Sequence, residues 1–458
     1  MHMTMAVAPR AIVTTMPPAV ILAAGEGLRL NGKNGGMSKP LTPVLGLTLL
    51  ERAILSCREV GVTQFYVVLG YRAGAMISYL RALKKREHVL IQPVMNSNWN
   101  EGNGSSTLAV APYIDGPFFL LMCDHLFDPA ILQCLLDAEE NTAGCLLAVD
   151  RRMDYVLDLE DATKVRLDGT AITAIGKGMA SFDAIDTGLF LCDPTLFNAL
   201  RNARHNGHAS LSAGIMELVE SREARAVSIG NRFWLDVDTP KDLSYAKRRL
   251  LERLSKPDDD GLVARYLNRP VSRKISALLV RTSITPNGIS LMSFAICVIG
   301  AFIFSFGEFV FAVVAGLMVQ MASILDGCDG EVARLKFQSS CFGAWFDTIL
   351  DRYADVAIVA GVTYGFWLNH PYPTVWLGAV FALTGFIMAS YVKKEFTIRF
   401  RSRPPDGLFG RLIKRDMRIF VIMLGALVNQ PYEAMILIGL LSHVGIGWML
   451  LKGHRQIV

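Results

Sequence analysis

The sequence shows no cysteine pattern typical of a metal site, no signal peptide and no internal repeat. Its eight cysteines show no paired metal-ligand spacing and are scattered among apolar neighbours, which predicts reduced, buried thiols in a chain that faces the cytosol. The first 17 residues carry little charge and no strong apolar core, so we expect no signal peptide. No internal repeat or low-complexity segment is evident. The net charge is only +5 and basic residues flank apolar runs, so we expect membrane lipids or phosphate groups, and no nucleic acid, as partners.

Hydrophobic residues are abundant but unevenly distributed. They make up 52% of the 458 residues, and the mean hydropathy of +0.35 is high for a soluble protein. The first half reads as an ordinary globular domain, whereas apolar runs dominate the second half. We therefore predict a flexible tail (1–18), a cytosolic domain (19–245), a basic juxtamembrane connector (246–275) and a membrane domain (276–458).

Short apolar runs in the first domain alternate with helical patterns. The runs are typical of buried strands and lie at 19–25, 65–69, 89–91, 118–122 and 145–149. Alternation of strands and helices predicts an α/β, doubly wound, Rossmann-like domain.

Six apolar stretches in the second half predict an all-α polytopic membrane domain of six transmembrane helices. They lie at about 287–306, 309–325, 348–368, 374–392, 417–430 and 432–451, and the fifth is short enough to be tilted or partly interfacial. Every other loop lacks Lys and Arg, whereas basic residues gather between Lys393 and Arg418 and at the C-terminus. Because basic loops stay inside, we expect a multi-pass protein of the cell membrane whose N-terminal domain, C-terminus and candidate sites face the cytoplasm.

A glycine-rich segment, LAAGEGLRLNGKNGGMSKPL at 22–41, follows the first predicted strand. Backbone amides of such a loop can close around phosphates, and Arg29 and Lys39 would neutralise a triphosphate; the alternative is a tight turn with solvated charges. The residues LAAGEGLRL and SKPL resemble the signature of sugar-phosphate nucleotidyltransferases. NEGNGSSTLAV, MCDHLF, ATKV, DTGLF and FWLDVDTPKDL extend the resemblance over nearly all of 19–245.

This resemblance implies which residues hold the nucleotide and its metal ion. Asp124 and Asp236 would bind Mg²⁺, with Asp238 as a substitute for Asp236 or as a helix cap. The implied nucleotide-binding residues are Leu22, Ala23, Ala24, Gly25, Glu26, Gly27, Lys39, Asn103 and Gly104.

Four further residues receive roles in the same reaction. Lys39 and Arg29 would act in catalysis by clamping the triphosphate, because two anions must approach each other when a phosphate attacks a nucleotide. Lys164 would meet the phosphate of a sugar-like substrate and Asp186 its hydroxyls, or both would serve a structural role.

Aspartates border two of the apolar stretches in the second half. Asp326 and Asp329 are spaced i, i+3, and Asp347 and Asp351 are spaced i, i+4, so each pair shares one helix face. Ionisable groups at a membrane edge are costly and usually functional. Hard oxygen ligands suit Mg²⁺ or Mn²⁺, so the sequence predicts a metal-phosphate site, the alternative being simple pairing with nearby basic side chains.

Residues 326–351 fit the pattern D-x2-D-G-x2-A-R-x8-G-x3-D-x3-D at every fixed position. The pattern is the signature of CDP-alcohol phosphotransferases, and the resemblance, with TPN at 285–287, covers about 265–455. It implies that all four aspartates bind metal and that Asp351 is also the general base.

The same resemblance implies phosphate-binding residues. Gly330 and Gly343 would let the backbone approach a diphosphate, and Arg334 would grip its oxygens. Lys414 and Arg418 would bind the phosphate of an acceptor, unless the basic segment 393–418 only meets anionic lipid. Asp355, nearer the membrane core, receives no role.

The two halves share a chemical intermediate. A first-family enzyme makes a nucleoside-diphosphate-alcohol and a second-family enzyme consumes a CDP-alcohol, so the nucleotide would be CTP, with Mg²⁺ or Mn²⁺ at both sites. The domain order resembles the family of fused inositol-1-phosphate cytidylyltransferases and di-myo-inositol phosphate phosphate synthases. This implies CTP and inositol-1-phosphate, or a similar alcohol phosphate, as substrates and a homodimer through the membrane domain.

The acceptor alcohol stays open at this point. The solute made by that family is associated with life at very high temperature, whereas this chain has eight Cys and 19 Met, which are thermolabile residues. A lipid alcohol is therefore the enzymatic alternative. A membrane scaffold or transporter with a non-catalytic nucleotide-binding domain is the alternative from another class, and release of CMP would exclude it.

Overall fold

The chain folds into two compact units that divide between Lys247 and Arg248. The computed structural model describes residues 16–31, 38–138, 144–156, 158–255, 260–402, 404 and 407–457. Most of the predicted tail (1–15) and part of the glycine-rich segment (32–37) lie outside the described residues. Each unit has a hydrophobic core of its own.

Strands and helices alternate along the described part of the first unit. The strands are β1 Ala19–Leu22, β2 Pro43–Val44, β3 Leu47–Thr48, β4 Gln64–Leu69, β5 Leu90–Met95, β6 Phe118–Met122, β7 His125–Phe127, β8 Cys145–Asp150, β9 Lys164–Asp168, β10 Ala171–Gly176, β11 Ala184–Cys192, β12 Ala224–Ser228 and β13 Trp234–Asp236. The helices are α1 Leu28–Asn31, α2 Leu49–Glu59, α3 Ala73–Glu87, α4 Asn103–Leu108, α5 Ala130–Asp137, α6 Thr195–His205, α7 Leu211–Glu220 and α8 Pro240–Glu252.

The main sheet has the strand order β5-β4-β1-β6-β11-β8-β12-β10-β9. β1 pairs in parallel with β4 and β6, and β4 with β5, so these strands end at one edge. The side chains of β1, β4 and β6 are buried on both faces, which is why these strands read as continuous apolar runs, whereas most side chains of the edge strand β5 are exposed. The Rossmann-like α/β prediction is confirmed, but β11 runs antiparallel to β6 and β8, so the sheet is mixed.

A small antiparallel ladder of β7 and β13 lies apart from the main sheet. Its register sets Asp236 opposite His125. Segments separated by about a hundred residues are thereby brought side by side just after β6.

The described residues of the second unit are helical. Its helices are α9 Arg269–Leu279, α10 Pro286–Phe304, α11 Phe309–Leu335, α12 Cys341–Asn369, α13 Pro373–Phe400, α14 Gly407–Leu412, α15 Arg415–Leu427 and α16 Pro431–Ile457. Thr285 caps α10 by accepting from the Gly288 N–H at 3.2 Å, and Ser340 caps α12 by accepting from the Gly343 N–H at 3.0 Å.

In the described part of the chain, four helices are long and apolar enough to cross a membrane: α10, α11, α13 and the part of α16 over Pro431–Gly453. The other two predicted spans fall on α12 and α15 and do not meet that measure. α15 has 13 residues, fewer than the roughly 20 that a bilayer requires. α12 carries Asp347, Asp351, Arg352 and Asp355 in its first half, which lowers its apolar character.

Glycines let α12 lie backbone to backbone against α10. A Cβ on Gly361 would overlap the carbonyl oxygen of Ala301, and one on Gly365 would overlap that of Phe304. Small residues at such contacts are typical of helix packing in membranes. This contact fixes the position of α12 along α10, and with it the position of the aspartates on α12.

Candidate functional site: two acidic donor sets

The first candidate site forms where loops follow neighbouring strands of the first unit. Lys39 returns from the glycine-rich segment after β1, and Asp124 comes two residues after β6, the strand beside β1. The β7–β13 ladder adds Asp236 and His125. The carboxyl ends of parallel strands are where α/β folds bind ligands, so the topology places these residues at a suitable edge.

Lys39 is the central cation of this site. Its Nζ is ion-paired with Asp124 and lies 2.5 Å from Oδ1 of Asp238. Arg29 extends the network, with Nη2 2.8 Å from Oδ2 of Asp238 and Nη1 2.8 Å from Oδ2 of Asp161. The two predicted clamping residues are therefore held together by one carboxylate.

Asp238 binds these cations with its side chain and does not cap α8. The backbone N–H of Thr239 donates instead to Oδ2 of Asp242 at 2.7 Å. A cavity of about 350 Å³ opens at this place, and its lining consists of Glu26, Gly27, Arg29, Lys39 and Asp238.

The clustered charges shift the pKa values of the site. Burial alone would lower the pKa of Lys39, but the carboxylates of Asp124, Asp236 and Asp238 outweigh it and raise that pKa. Burial raises the pKa of Asp236 to about 6 although His125 opposes it. For Asp124, Lys39 and His125 outweigh burial and lower the pKa. Lys39 is thus charged and Asp124 ionised at neutral pH.

Asp124, His125 and Asp236 form a donor set for a divalent cation, because one ligand atom of each lies within 4.8 Å of the others. Oδ1 of Asp236 is buried and has no hydrogen-bond partner among the residues that the structure describes. Such an oxygen is costly unless a cation or proton meets it, so these residues fit a bound metal ion. The sequence reasoning named both aspartates but missed His125, whose only signal is its place after Asp124.

Two glycines of the predicted nucleotide loop differ in the space around them: a Cβ would fit at Gly25 but not at Gly27. No atom of the described residues lies within 4 Å of a Cβ built on Gly25. Gly27 has φ of +64°, and a Cβ on it would press on Lys39. The preceding predicted residues, Leu22, Ala23 and Ala24, are buried.

The second predicted nucleotide segment begins α4. The Nδ2 group of Asn103 lies 4.0 Å from the sulfur of Met122 at the end of β6. A Cβ on Gly104 would lie 2.5 Å from the carbonyl oxygen of Ala209. Close packing of two backbones therefore explains Gly104 without a ligand.

Lys164 and Asp186 lie on neighbouring strands, since Lys164 of β9 pairs with the residue before Asp186 of β11. The Asp186 carboxylate accepts from the Gly188 N–H at 2.7 Å, and burial raises its pKa to about 6. Nζ of Lys164 lies 5.3 Å from the ring centroid of Phe182. Because Lys164 pairs with Ile185 and successive residues of a strand point to opposite faces, Lys164 and Asp186 lie on adjacent strands but on different faces of the sheet.

The second candidate site lies on α11 and α12. Asp326, Asp347 and Asp351 each place one carboxylate oxygen within 4.8 Å of the others. Asp329 accepts from the hydroxyl of Ser290 at 2.5 Å and also contacts Asp347. A donor set made only of carboxylate oxygens fits Mg²⁺ or Mn²⁺.

Arg415, which the sequence reasoning did not single out, is the shared cation of this cluster. Its Nη1 lies 2.5 Å from Oδ1 of Asp351 and 3.1 Å from Oδ2 of Asp326, and its Nε lies 3.5 Å from Asp355. Arg415 begins the segment RDMRIF (415–420), but the prediction from sequence named its neighbours Lys414 and Arg418 instead.

Arg418 reaches the cluster through Asp355. Its Nη1 lies 3.3 Å from Oδ2 of Asp355, and its guanidinium lies 4.8 Å from the ring centroid of Phe386. Arg352 lies 3.5 Å from the same carboxylate. Asp355 is thus paired with arginines, as the interpretation that gave it no role of its own expects.

The remaining predicted residues surround the aspartates. A Cβ on Gly343 would lie 3.1 Å from Oδ1 of Asn287, so the TPN segment contacts the signature. Arg334 donates from Nη2 to the Leu254 carbonyl at 3.2 Å and lies against Gly330. Its buried Nε has no hydrogen-bond partner within the described ranges. Lys414 is the N-cap residue of α15.

Comparison with known proteins assigns both units. The family model described as "MobA-like NTP transferase domain" matches residues 19–157, and that described as "CDP-alcohol phosphatidyltransferase" matches residues 283–448. The solved structure titled as the inositol-1-phosphate CTP transferase from T. maritima is 26% identical and covers 51% of this chain and 97% of that chain, with a TM-score of 0.46.

Relatives match over nearly the whole length. Proteins named "Bifunctional IPC transferase and DIPP synthase" include those of Rubrobacter xylanophilus, 35% identical over 93% of this chain and 94% of the relative, and Aquifex aeolicus, 31% identical over 93% and 95%. The one of Thermococcus kodakarensis is 34% identical over 89% of each chain. With a nucleotidyltransferase unit joined to a CDP-alcohol phosphotransferase unit, this chain belongs to the family of bifunctional IPC transferases and DIPP synthases.

Proposed function

We propose that the first unit joins inositol-1-phosphate to CTP, and that the second unit transfers phosphoinositol from the resulting CDP-inositol to another inositol-1-phosphate. The observation that carries the proposal is the presence of two acidic donor sets, one in each unit, in a chain that covers 94% of a relative named for both activities. A lipid acceptor is not favoured, because the full-length relatives are named DIPP synthases.

In the first half-reaction a phosphate oxygen of inositol-1-phosphate attacks the α-phosphorus of CTP, and pyrophosphate leaves. Lys39 and Arg29 exchange contacts with Asp238 for triphosphate oxygens, which offsets the repulsion between the anions. Asp124 and Asp236 hold Mg²⁺ or Mn²⁺, which when bound withdraws charge from the phosphates.

Other residues of the first unit position the two substrates. Lys164 takes the phosphate of inositol-1-phosphate, and the Asp186 carboxylate accepts from its hydroxyls. The loop that includes Gly25 and Glu26 lies along the triphosphate, and the start of α4 at Asn103 lies beside the base.

In the second half-reaction Asp351 accepts the proton of an acceptor hydroxyl. The oxygen bonds to the β-phosphorus of CDP-inositol, the bond to CMP breaks, and a phosphodiester forms. Asp326, Asp347 and Asp351 form a donor set, and together with Asp329 they would hold divalent ions, which when bound neutralise charge on the diphosphate. Arg334 grips diphosphate oxygens beside Gly330 and Gly343, and Lys414 and Arg418 neutralise the acceptor phosphate.

The second unit crosses the cell membrane with α10, α11, α13 and α16, and α12 and α15 complete the six predicted spans, with the short α15 lying partly at the interface. The loops without Lys and Arg lie outside, and both sites and the C-terminus lie in the cytoplasm. The connector 246–275 meets anionic headgroups, and two chains associate through the membrane helices. Covalent linkage of the units keeps CDP-inositol near its consumer at high effective concentration.

Product analysis of the intact chain in detergent tests the proposal. With CTP, Mg²⁺ and inositol-1-phosphate, mass spectrometry should find pyrophosphate, CDP-inositol, CMP and a product with two inositols and two phosphates. Replacing CTP by ATP or GTP is the matched control and should abolish all four. A phospholipid product from diacylglycerol, with none from inositol-1-phosphate, would contradict the acceptor assignment.

A further inference from the structure

We propose that His125 is a third protein ligand of the divalent cation in the first unit, through its Nε2 atom. The inference rests on the proposed function in one respect only, namely that Asp124 and Asp236 hold a cation. It gives the first site one nitrogen donor, whereas the group on α11 and α12 consists of carboxylates alone.

The first argument for this ligand comes from the distances between the three candidate ligand atoms. Nε2 of His125 lies 3.7 Å from Oδ1 of Asp124 and 3.5 Å from Oδ1 of Asp236. Two atoms that each lie about 2.1 Å from one ion at a tetrahedral angle are about 3.4 Å apart. Lys39 pairs with the other oxygen of Asp124, Oδ2, so Oδ1 remains directed at the ring.

The second argument comes from the protonation of the His125 ring, which leaves Nε2 as the nitrogen available to a metal ion. Its Nδ1 lies 2.6 Å from the carbonyl oxygen of Thr187, which can only accept, so Nδ1 must carry a proton. The indole N–H of Trp234, at 3.3 Å from the same Nδ1, is therefore not its main partner. The second ring proton then lies on Nε2 between the two carboxylates, and a cation that displaces this proton takes up the Nε2 lone pair. A backbone carbonyl on the far nitrogen is the usual support of a metal-bound histidine.

The ring of His125 is closely packed by its neighbours. It is 8% exposed, a Cβ on Gly188 would overlap its Cε1 atom, and Trp234 meets it at a ring-centroid distance of 5.6 Å and an angle of 74°. Gly188 has φ of +68°, a conformation that favours glycine. The surroundings hold Nε2 towards the carboxylates before any ion arrives.

Metal preference follows from the donor types. Imidazole nitrogen suits Mn²⁺ and later transition metals better than Mg²⁺, whereas carboxylates accept either. The first unit should therefore prefer Mn²⁺ over Mg²⁺ more strongly than the second unit does.

Pulsed electron paramagnetic resonance of Mn²⁺ on the intact, nucleotide-free chain tests this directly. We expect ¹⁴N modulation from a coordinated imidazole, changed to ¹⁵N modulation when histidine is ¹⁵N-labelled. It should persist in His205→Asn, a control at an exposed histidine of α6, and vanish in His125→Asn. His125→Asn can still donate an amide hydrogen to the Thr187 carbonyl, and its Mn²⁺ affinity should fall about tenfold or more.

Three results separate the possible failures. Mn²⁺ bound in the first unit without nitrogen modulation in the wild-type chain overturns the proposal, whether or not the variant folds. Modulation that survives in His125→Asn also overturns it. If Asp236→Asn leaves Mn²⁺ binding unchanged, the cation site of the proposed function fails as well.

Discussion

Replacement of Lys39 tests whether the buried cation of the first unit serves nucleotide chemistry or only the fold. Lys39→Met keeps the length of the side chain but removes the charge shared by Asp124 and Asp238. Lys39 is 8% exposed, whereas the two carboxylates are 21% and 22% exposed at the side chain. Breaking a fully buried pair costs about 3–5 kcal/mol, and water that reaches these carboxylates reduces the expected loss of stability to about 1–3 kcal/mol.

Activity should fall further than stability. If Lys39 neutralises the triphosphate, kcat/KM for CTP should drop by about 10² to 10³, the usual effect of removing one preorganised donor. Pyrophosphate release by the intact chain measures the first half-reaction. CMP release from supplied CDP-inositol measures the second, which the substitution should leave unchanged.

Lys177→Met is the matched control. Lys177 is 59% exposed and pairs with Asp161 at 2.6 Å, so its loss should cost no more than about 1 kcal/mol and little activity. A Lys39→Met chain that is destabilised but keeps wild-type kcat/KM for CTP would refute the proposed clamp and leave Lys39 a structural residue.

Three further substitutions have definite expectations. Because the protonated form of Asp186 is favoured in the fold, its pKa being raised to about 6, ionisation costs stability above that pH and nothing near pH 4. Asp186→Asn should therefore stabilise the first unit by about 1–3 kcal/mol at pH 7.5 but not at pH 4 in calorimetry, and equal shifts at both pH values would contradict this. Gly361→Ala should lower the melting temperature of the second unit, because its Cβ meets the Ala301 carbonyl, whereas Gly447→Ala, with nothing within 4 Å, should not. Arg415→Met should abolish CMP release from supplied CDP-inositol but spare pyrophosphate release, and retained CMP release would show that this cation is dispensable.

Local patterns predicted the parts of the molecule that local physics decides. The apolar run at Phe118–Met122 is β6 with the predicted bounds, and the i, i+3 and i, i+4 spacing of the aspartates describes real helix faces on α11 and α12. Hydrophobic periodicity and composition depend only on residues that are close along the chain, so they can be read directly from the sequence.

The site residues that the sequence did not predict, His125 and Arg415, depend on contacts between residues that are distant along the chain. His125 becomes a candidate ligand only because the β7–β13 register sets Asp236 opposite it. Arg415 becomes the central cation only because α15 packs against α11, which carries Asp326, and because the Arg415 side chain reaches Asp351 on α12. Six spans were predicted, whereas four helices of the described residues meet the length and composition of a span, and the reason is related. α12 is charged where it meets the second site, so composition alone does not mark it as a span.

Phosphorus NMR on two single-site variants tests the central claim, that each unit carries one half of a two-step synthesis. With CTP, Mg²⁺ and inositol-1-phosphate, Asp351→Asn should release pyrophosphate and accumulate CDP-inositol without CMP. Asp124→Asn should release no pyrophosphate yet convert supplied CDP-inositol to CMP and a phosphodiester. CMP release by Asp351→Asn, or failure of Asp124→Asn to consume CDP-inositol, would contradict the account.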